Sequence, residues 1–74
     1  MERYQGSEQS GVSGYEFTKG GIILQFKDGK EYLYSNKKPG KKHIENMKKL
    51  AEEGSGLATY VNKYVRDDYE ERIR

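Results

Sequence analysis

The chain has 74 residues and a formal net charge of +2, which bounds it to one small domain with a modest core. It contains no cysteine, so disulfides and thiolate metal sites are excluded, in keeping with a reducing compartment. No apolar run approaches the roughly 18 residues of a membrane span and no signal peptide is visible, so a cytoplasmic protein that does not enter membranes is expected.

The distribution of charge says more than its sum. Between Lys19 and Lys49 nine lysines face only Asp28, Glu31 and Glu45, whereas the segments on either side carry more acids than bases. One basic side is therefore expected, able to attract nucleic acid or an acidic surface.

The opening MERYQGSEQSG is polar and aperiodic, and reads as a flexible tail. Three apolar runs follow. GYEFT alternates Tyr15 with Phe17, GIILQF alternates Ile22, Leu24 and Phe26, and EYLYS alternates Tyr32 with Tyr34. Period-two aromatic and β-branched residues predict strands, and the intervening KGG and KDG supply turn residues. The second hairpin has two candidate registers. A two-residue Asp28-Gly29 turn would send Tyr32 and Tyr34 to the face opposite Ile22, Leu24 and Phe26. A three-residue Lys27-Asp28-Gly29 loop, with Gly29 left-handed, pairs Leu24 with Tyr32 and Ile22 with Tyr34, and keeps all five on one face. The second register is consistent across the sheet and is expected to win.

Two helices are predicted next. Pro39 suits a first helical turn. Ile44, Met47 and Ala51 form a stripe, and Gly54 is placed to stop the helix in the left-handed conformation. Ser55 is a candidate N-cap for a second helix, whose stripe is Leu57, Val61, Tyr64 and Val65. Tyr60 falls off that stripe and is expected to be exposed. The predicted fold class is α+β: a three-stranded antiparallel meander followed by two helices packed on one face, in the order βββαα.

The first helix is charged against its own dipole. Lys41, Lys42 and His43 open it, Lys37 and Lys38 stand just ahead, and Glu52 and Glu53 close it. The ordinary preference is the reverse. Free N–H groups and cations converging at a helix start can bind phosphate; equally, a lysine run can be no more than a solvated surface. Tyr32 and Tyr34 also have two readings, as a stacking platform for bases or as rings buried under the helices with their hydroxyls at the rim. His43, the only histidine, reads as a surface residue. No nucleophile–base arrangement, paired carboxylates, metal-ligand spacing or phosphate loop is visible, so no catalytic residue, metal or cofactor is expected.

The order of these pieces resembles the KTSC domain, a small module named for its occurrence at the C-terminus of some lysyl-tRNA synthetases and found also as a stand-alone bacterial protein. The similarity runs from about Ser13 to Tyr69. Gly14 and Tyr15 fall on the Gly-Tyr opening, and Tyr32 and Tyr34 on the central Tyr-x-Tyr pattern. Ser55 and Gly56 fall on a Ser-Lys-Gly segment that here lacks its lysine. Tyr60, Asn62, Val65-Arg66 and Tyr69 fall on a following aromatic, an asparagine, an Ile-Arg pair and a closing tyrosine. The resemblance implies a compact sheet-plus-helix module with no established activity, for which RNA binding is the natural suggestion.

These readings divide the chain into a flexible polar tail over 1–11, a single KTSC-like domain over 12–70 and a frayed charged end over 71–74. They point to a monomeric binding module without enzymatic activity. RNA or another nucleic acid is the first expected partner, met by Lys37, Lys38, Lys41, Lys42 and His43, with Arg66 and Tyr60 as secondary contacts. A protein-interaction module with an unidentified partner is the alternative.

Overall fold

A computed structural model of the chain describes residues 2–5 and 11–74. Among them the fold is α+β, with five antiparallel strands in the sequential order β1-β2-β3-β4-β5. The strands are β1 (Glu2–Arg3), β2 (Val12–Thr18), β3 (Gly21–Phe26), β4 (Glu31–Ser35) and β5 (Glu71–Arg72). Between β4 and β5 come helix α1 (Lys41–Glu53) and helix α2 (Leu57–Tyr60), which runs on as a π-helix over Val61–Val65.

The central meander follows from the turn chemistry. Gly29 takes a left-handed φ of 91°, which a side chain would resist. Gly29 N–H then donates to the Phe26 carbonyl and Phe26 N–H to the Lys30 carbonyl, both at 2.9 Å. This is the three-residue loop with a bulge, and it sets Leu24 opposite Tyr32 and Ile22 opposite Tyr34. The five apolar residues share a face as expected. In β2 an irregularity between Val12 and Gly14 lets Val12 oppose Phe26 while Tyr15 opposes Leu24. A bulge of this kind keeps both residues on the core side although they stand three apart. At Gly21 any Cβ would collide with the Tyr34 carbonyl across the strand pair.

The core lies between this face and the helices. Ile22, Leu24, Tyr34 and Val12 meet Ile44, Met47 and Ala51 of α1, and Leu57, Val61 and Val65 of the second helical segment. The α1 stripe is the predicted one. Gly54 ends the helix at φ 78°, and its N–H donates to the Leu50 carbonyl at 3.0 Å, the expected left-handed stop.

Several expectations are corrected. The sheet has five strands rather than three, because two short edge strands flank the meander. Residues 2–5 are not a tail: Glu2 pairs with Tyr15 and Arg3 with Gly14, and Tyr4 is 1% exposed in the core. The Tyr4 hydroxyl accepts the Leu57 backbone N–H at 3.0 Å, satisfying a donor that a helix start leaves open. The rest of the predicted tail, 6–10, lies outside the described residues. At the other end Leu33 pairs with Glu71 and Tyr32 with Arg72, so 71–74 is a paired edge although its side chains are exposed. A two-residue strand has too few positions to show a period, which is why neither edge was legible.

The helix boundaries also differ. Pro39 precedes α1, and Gly40 caps it. Gly56 rather than Ser55 occupies the N-cap of α2, with a left-handed φ of 81°. Tyr64, expected on the buried stripe, is 54% exposed. The π-helix explains this. Its wider turn brings Val61 and Val65 to the core with Leu57 and rotates Tyr64 away from it.

Candidate functional site

The lysine corner is built around Ser35, the last residue of β4. Its side-chain oxygen accepts the N–H groups of Lys37 at 3.1 Å and Lys38 at 3.3 Å, and its hydroxyl donates to a Glu70 carboxylate oxygen. Its own N–H donates to the Lys38 carbonyl at 2.8 Å, and its carbonyl accepts the Gly40 N–H at 3.1 Å. The chain thus winds around one buried serine as it leaves the sheet. This holds Lys37 and Lys38 outward, immediately ahead of α1.

Helix α1 begins without a side-chain cap and without an acid in its first turn. Its first helical bond runs from Ile44 N–H to the Gly40 carbonyl at 3.1 Å, so the N–H groups of Lys41, Lys42 and His43 stand ahead of the ladder. Lys37, Lys38, Lys41 and Lys42 are all exposed, and among the described residues none of them is in an ion pair. Positive charge, free donors and the positive end of the helix dipole therefore coincide at one corner.

Next to this corner lies an aromatic ledge. His43, half-buried in the first turn of α1, has its Nδ1 2.7 Å from the Tyr60 hydroxyl. Asn46, one turn further on, donates through Nδ2 to the same hydroxyl oxygen at 3.3 Å. The Tyr60 hydroxyl thus joins His43 and Asn46 of α1 to the second helical segment, and which of His43 Nδ1 and Tyr60 O–H donates follows from the imidazole tautomer. The Tyr60 and Tyr64 ring centroids are 4.8 Å apart, and His43 lies 5.8 Å from Tyr60 and 6.3 Å from Tyr64. Lys63 Nζ stands 5.4 Å from the Tyr64 ring centroid, within cation–π reach. Three flat rings, one of them more than half exposed, thus border the basic helix start.

A second aromatic group lies elsewhere. Tyr32 and Tyr69 have ring centroids 4.5 Å apart, Phe26 packs edge-on to Tyr32 at 5.6 Å, and Tyr34 edge-on to Tyr69 at 6.2 Å. Tyr34 is buried, and its hydroxyl donates to the Arg66 carbonyl at 3.2 Å. Burial pushes the Tyr34 phenol well above its ordinary value, and the neighbouring Tyr32, Asp67 and Tyr69 add to the shift. Around these rings is a groove of about 440 Å³, bordered also by Asn62, Arg66 and the Lys27–Lys30 turn.

The structure therefore sorts the sequence-predicted residues into two places. His43 and Tyr60 meet at the start of α1, where Lys41 and Lys42 also sit, with Lys37 and Lys38 just ahead. His43 is not a bare surface residue; it fixes Tyr60, which is half-buried rather than fully exposed. Arg66 stands apart, at the groove. Of the residues that carry the KTSC resemblance, Tyr32, Tyr34, Asn62 and Tyr69 border that groove, whereas Ser55 and Gly56 are exposed at the turn between the helices. Sequence reasoning missed Tyr64, Asn46 and Lys63. The signal for Tyr64 was its i, i+4 spacing from Tyr60, but its place on the apolar stripe hid it.

Among the described residues no group of three or more His, Asp or Glu side chains could hold a metal ion, and no helix is long and apolar enough to cross a membrane. Comparison with protein-family models, with curated proteins and with solved structures finds no match to this chain.

Proposed function

We propose that this chain is a KTSC-like module that binds single-stranded nucleic acid, RNA first, without catalysing a reaction. The observation that carries the reading is the adjacency of the four exposed lysines at the start of α1, which lacks a side-chain cap, and the His43–Tyr60–Tyr64 ledge. Lys37, Lys38, Lys41 and Lys42 take phosphates, and the free N–H groups of the first turn can take one of them end-on. The exposed Tyr64 ring, backed by Tyr60 and His43, offers a base a flat partner. Base–aromatic stacking is worth roughly 1–3 kcal/mol per base and tolerates any sequence. Phosphate contacts carry no base information either, so broad specificity is expected.

The test is a salt titration of RNA affinity for the natural chain and for a variant with Lys37, Lys38, Lys41 and Lys42 all changed to Gln. Each phosphate contact on a single strand adds about −0.7 to the slope of log affinity against log salt. The variant should bind more weakly and with a shallower slope while keeping its melting temperature. An unchanged slope would remove the lysine corner from the interface.

A protein-interaction module is the second reading. It draws on the face of the sheet opposite the helices, where the half-buried Ile23 and Leu33 stand opposite each other. That reading predicts a partner insensitive to salt and to the lysine substitutions.

A further inference from the structure

The aromatic groove is a separate feature from the lysine corner. Along the second helical segment Asn62 stands two residues from both Tyr60 and Tyr64, and Arg66 two residues beyond Tyr64, about half a turn of the π-helix, so they point to roughly the opposite side from Tyr64. One wall of the groove is aromatic, made by Tyr32 and Tyr69, whose rings are tilted 40° to each other, with Phe26 edge-on to Tyr32. Asn62 adds an exposed amide able to donate and to accept.

The charges around it are arranged unevenly. Lys30 is engaged by Asp28, whose carboxylate lies 4.0 Å from its Nζ. Lys27, on the β3–β4 turn, and Arg66, on the helical wall, both line the groove. Among the described residues neither has an ion-pair partner. Asp67 lies on the same wall as Arg66 and offsets part of this charge, so the groove suits a single anionic group rather than a run of them. Its volume of about 440 Å³ falls within the range of about 300–1,000 Å³ usual for small-molecule sites.

We infer that this groove binds a nucleobase linked to one phosphate, with the base on the Tyr32–Tyr69 wall, Asn62 on its polar edge and Arg66 and Lys27 on the phosphate. Two sources supply that chemistry: a free nucleoside monophosphate, or the 5′-phosphorylated end of a strand. The inference goes beyond the RNA reading above and uses different residues, so either can fail alone.

The experiment is an NMR titration of the isotope-labelled full chain with adenosine 5′-monophosphate, with inorganic phosphate, and with a short RNA carrying or lacking a 5′-phosphate. The nucleotide is expected to shift the Tyr32 and Tyr69 ring protons and the Asn62 and Arg66 amides, and to leave Lys41, Lys42 and His43 unmoved. It should bind on the order of tenfold or more tightly than phosphate, the difference being the stacked base. Arg66→Gln, a change at an exposed side chain, should weaken nucleotide binding by roughly tenfold through loss of a charged hydrogen bond. The fourfold lysine variant should bind the nucleotide as the natural chain does. Tighter groove binding by the 5′-phosphorylated RNA assigns the site to strand ends, and equal or weaker binding assigns it to free nucleotides; either result supports the inference. It is overturned if neither ligand shifts the groove at millimolar concentration, if phosphate alone binds equally well, or if Arg66→Gln leaves the affinity unchanged.

Discussion

The two aromatic groups use the same residue type for different ends. Tyr34 is sealed against the sheet and gives its hydroxyl proton to a backbone carbonyl, so its ring is part of what makes the fold stand. Tyr64 projects from the π-helix, with its ring more than half exposed and a lysine beside it. Neighbouring residues set that difference. Tyr34 is placed by a strand register that its own apolar face enforces, and Tyr64 by a widened helical turn that Val61 and Val65 hold in place. Buried tyrosines therefore report on stability here, and the exposed Tyr64 on the binding proposed above.

The sharpest way to break this comparison is to truncate the buried ring. Tyr34→Ala should cost about 3–5 kcal/mol, as large aromatic deletions in cores do, and chemical denaturation measures it. In a domain this small that loss approaches the whole stability, so Tyr34→Phe is the milder companion. A Tyr34→Ala chain as stable as the natural one would move Tyr34 out of the core.

Tyr4→Phe should be the next largest. It leaves the ring in place but removes the acceptor of the Leu57 N–H, and an unsatisfied buried donor costs about 1–3 kcal/mol. Unfolding should show it as a lower midpoint with an unchanged slope.

Alkaline pH sharpens the same point. The Tyr34 phenol has its pKa raised in the folded chain relative to 10.0. The folded state therefore keeps a proton that the unfolded state releases. Stability from this residue is fully present below pH 10 and is lost as pH rises from there toward the folded value. Melting curves taken across that range should fall for the natural chain and fall less steeply for Tyr34→Phe.

The smallest stability effect belongs to the exposed ring. Tyr64→Ala should change stability by no more than about 0.5 kcal/mol, yet weaken RNA binding by roughly the value of one stacked base, about 1–3 kcal/mol. Loss of stability without loss of binding would reverse the assignment.

What could be read ahead of the structure had a period or a strong local signal. The β3–β4 register followed from three alternating runs and one Asp-Gly, and the α1 stripe and its Gly54 stop followed from helical spacing. Tyr4 was hidden because it stands alone among polar residues, and its partners arrive from the sheet and from Leu57, far along the chain. The edge strands were too short to alternate. Tyr64 was misplaced because the 3.6-residue period assumed for its segment does not hold in a π-helix. For the site, the lysines were legible as charge and His43 and Tyr60 as neighbours of that charge. The His43–Tyr60 contact was not, since it joins two helices seventeen residues apart. Arg66 was grouped with the lysines by its charge, whereas its helix turns it toward the groove.

The most direct measurement is an NMR titration of the labelled chain with a short mixed-sequence RNA lacking a terminal phosphate, at low and moderate salt. The account predicts shifts at Lys37–His43 and at the Tyr60 and Tyr64 rings, with those at the lysines fading as salt rises. No shifts at low salt, or shifts confined to the sheet face around Ile23 and Leu33, would contradict it.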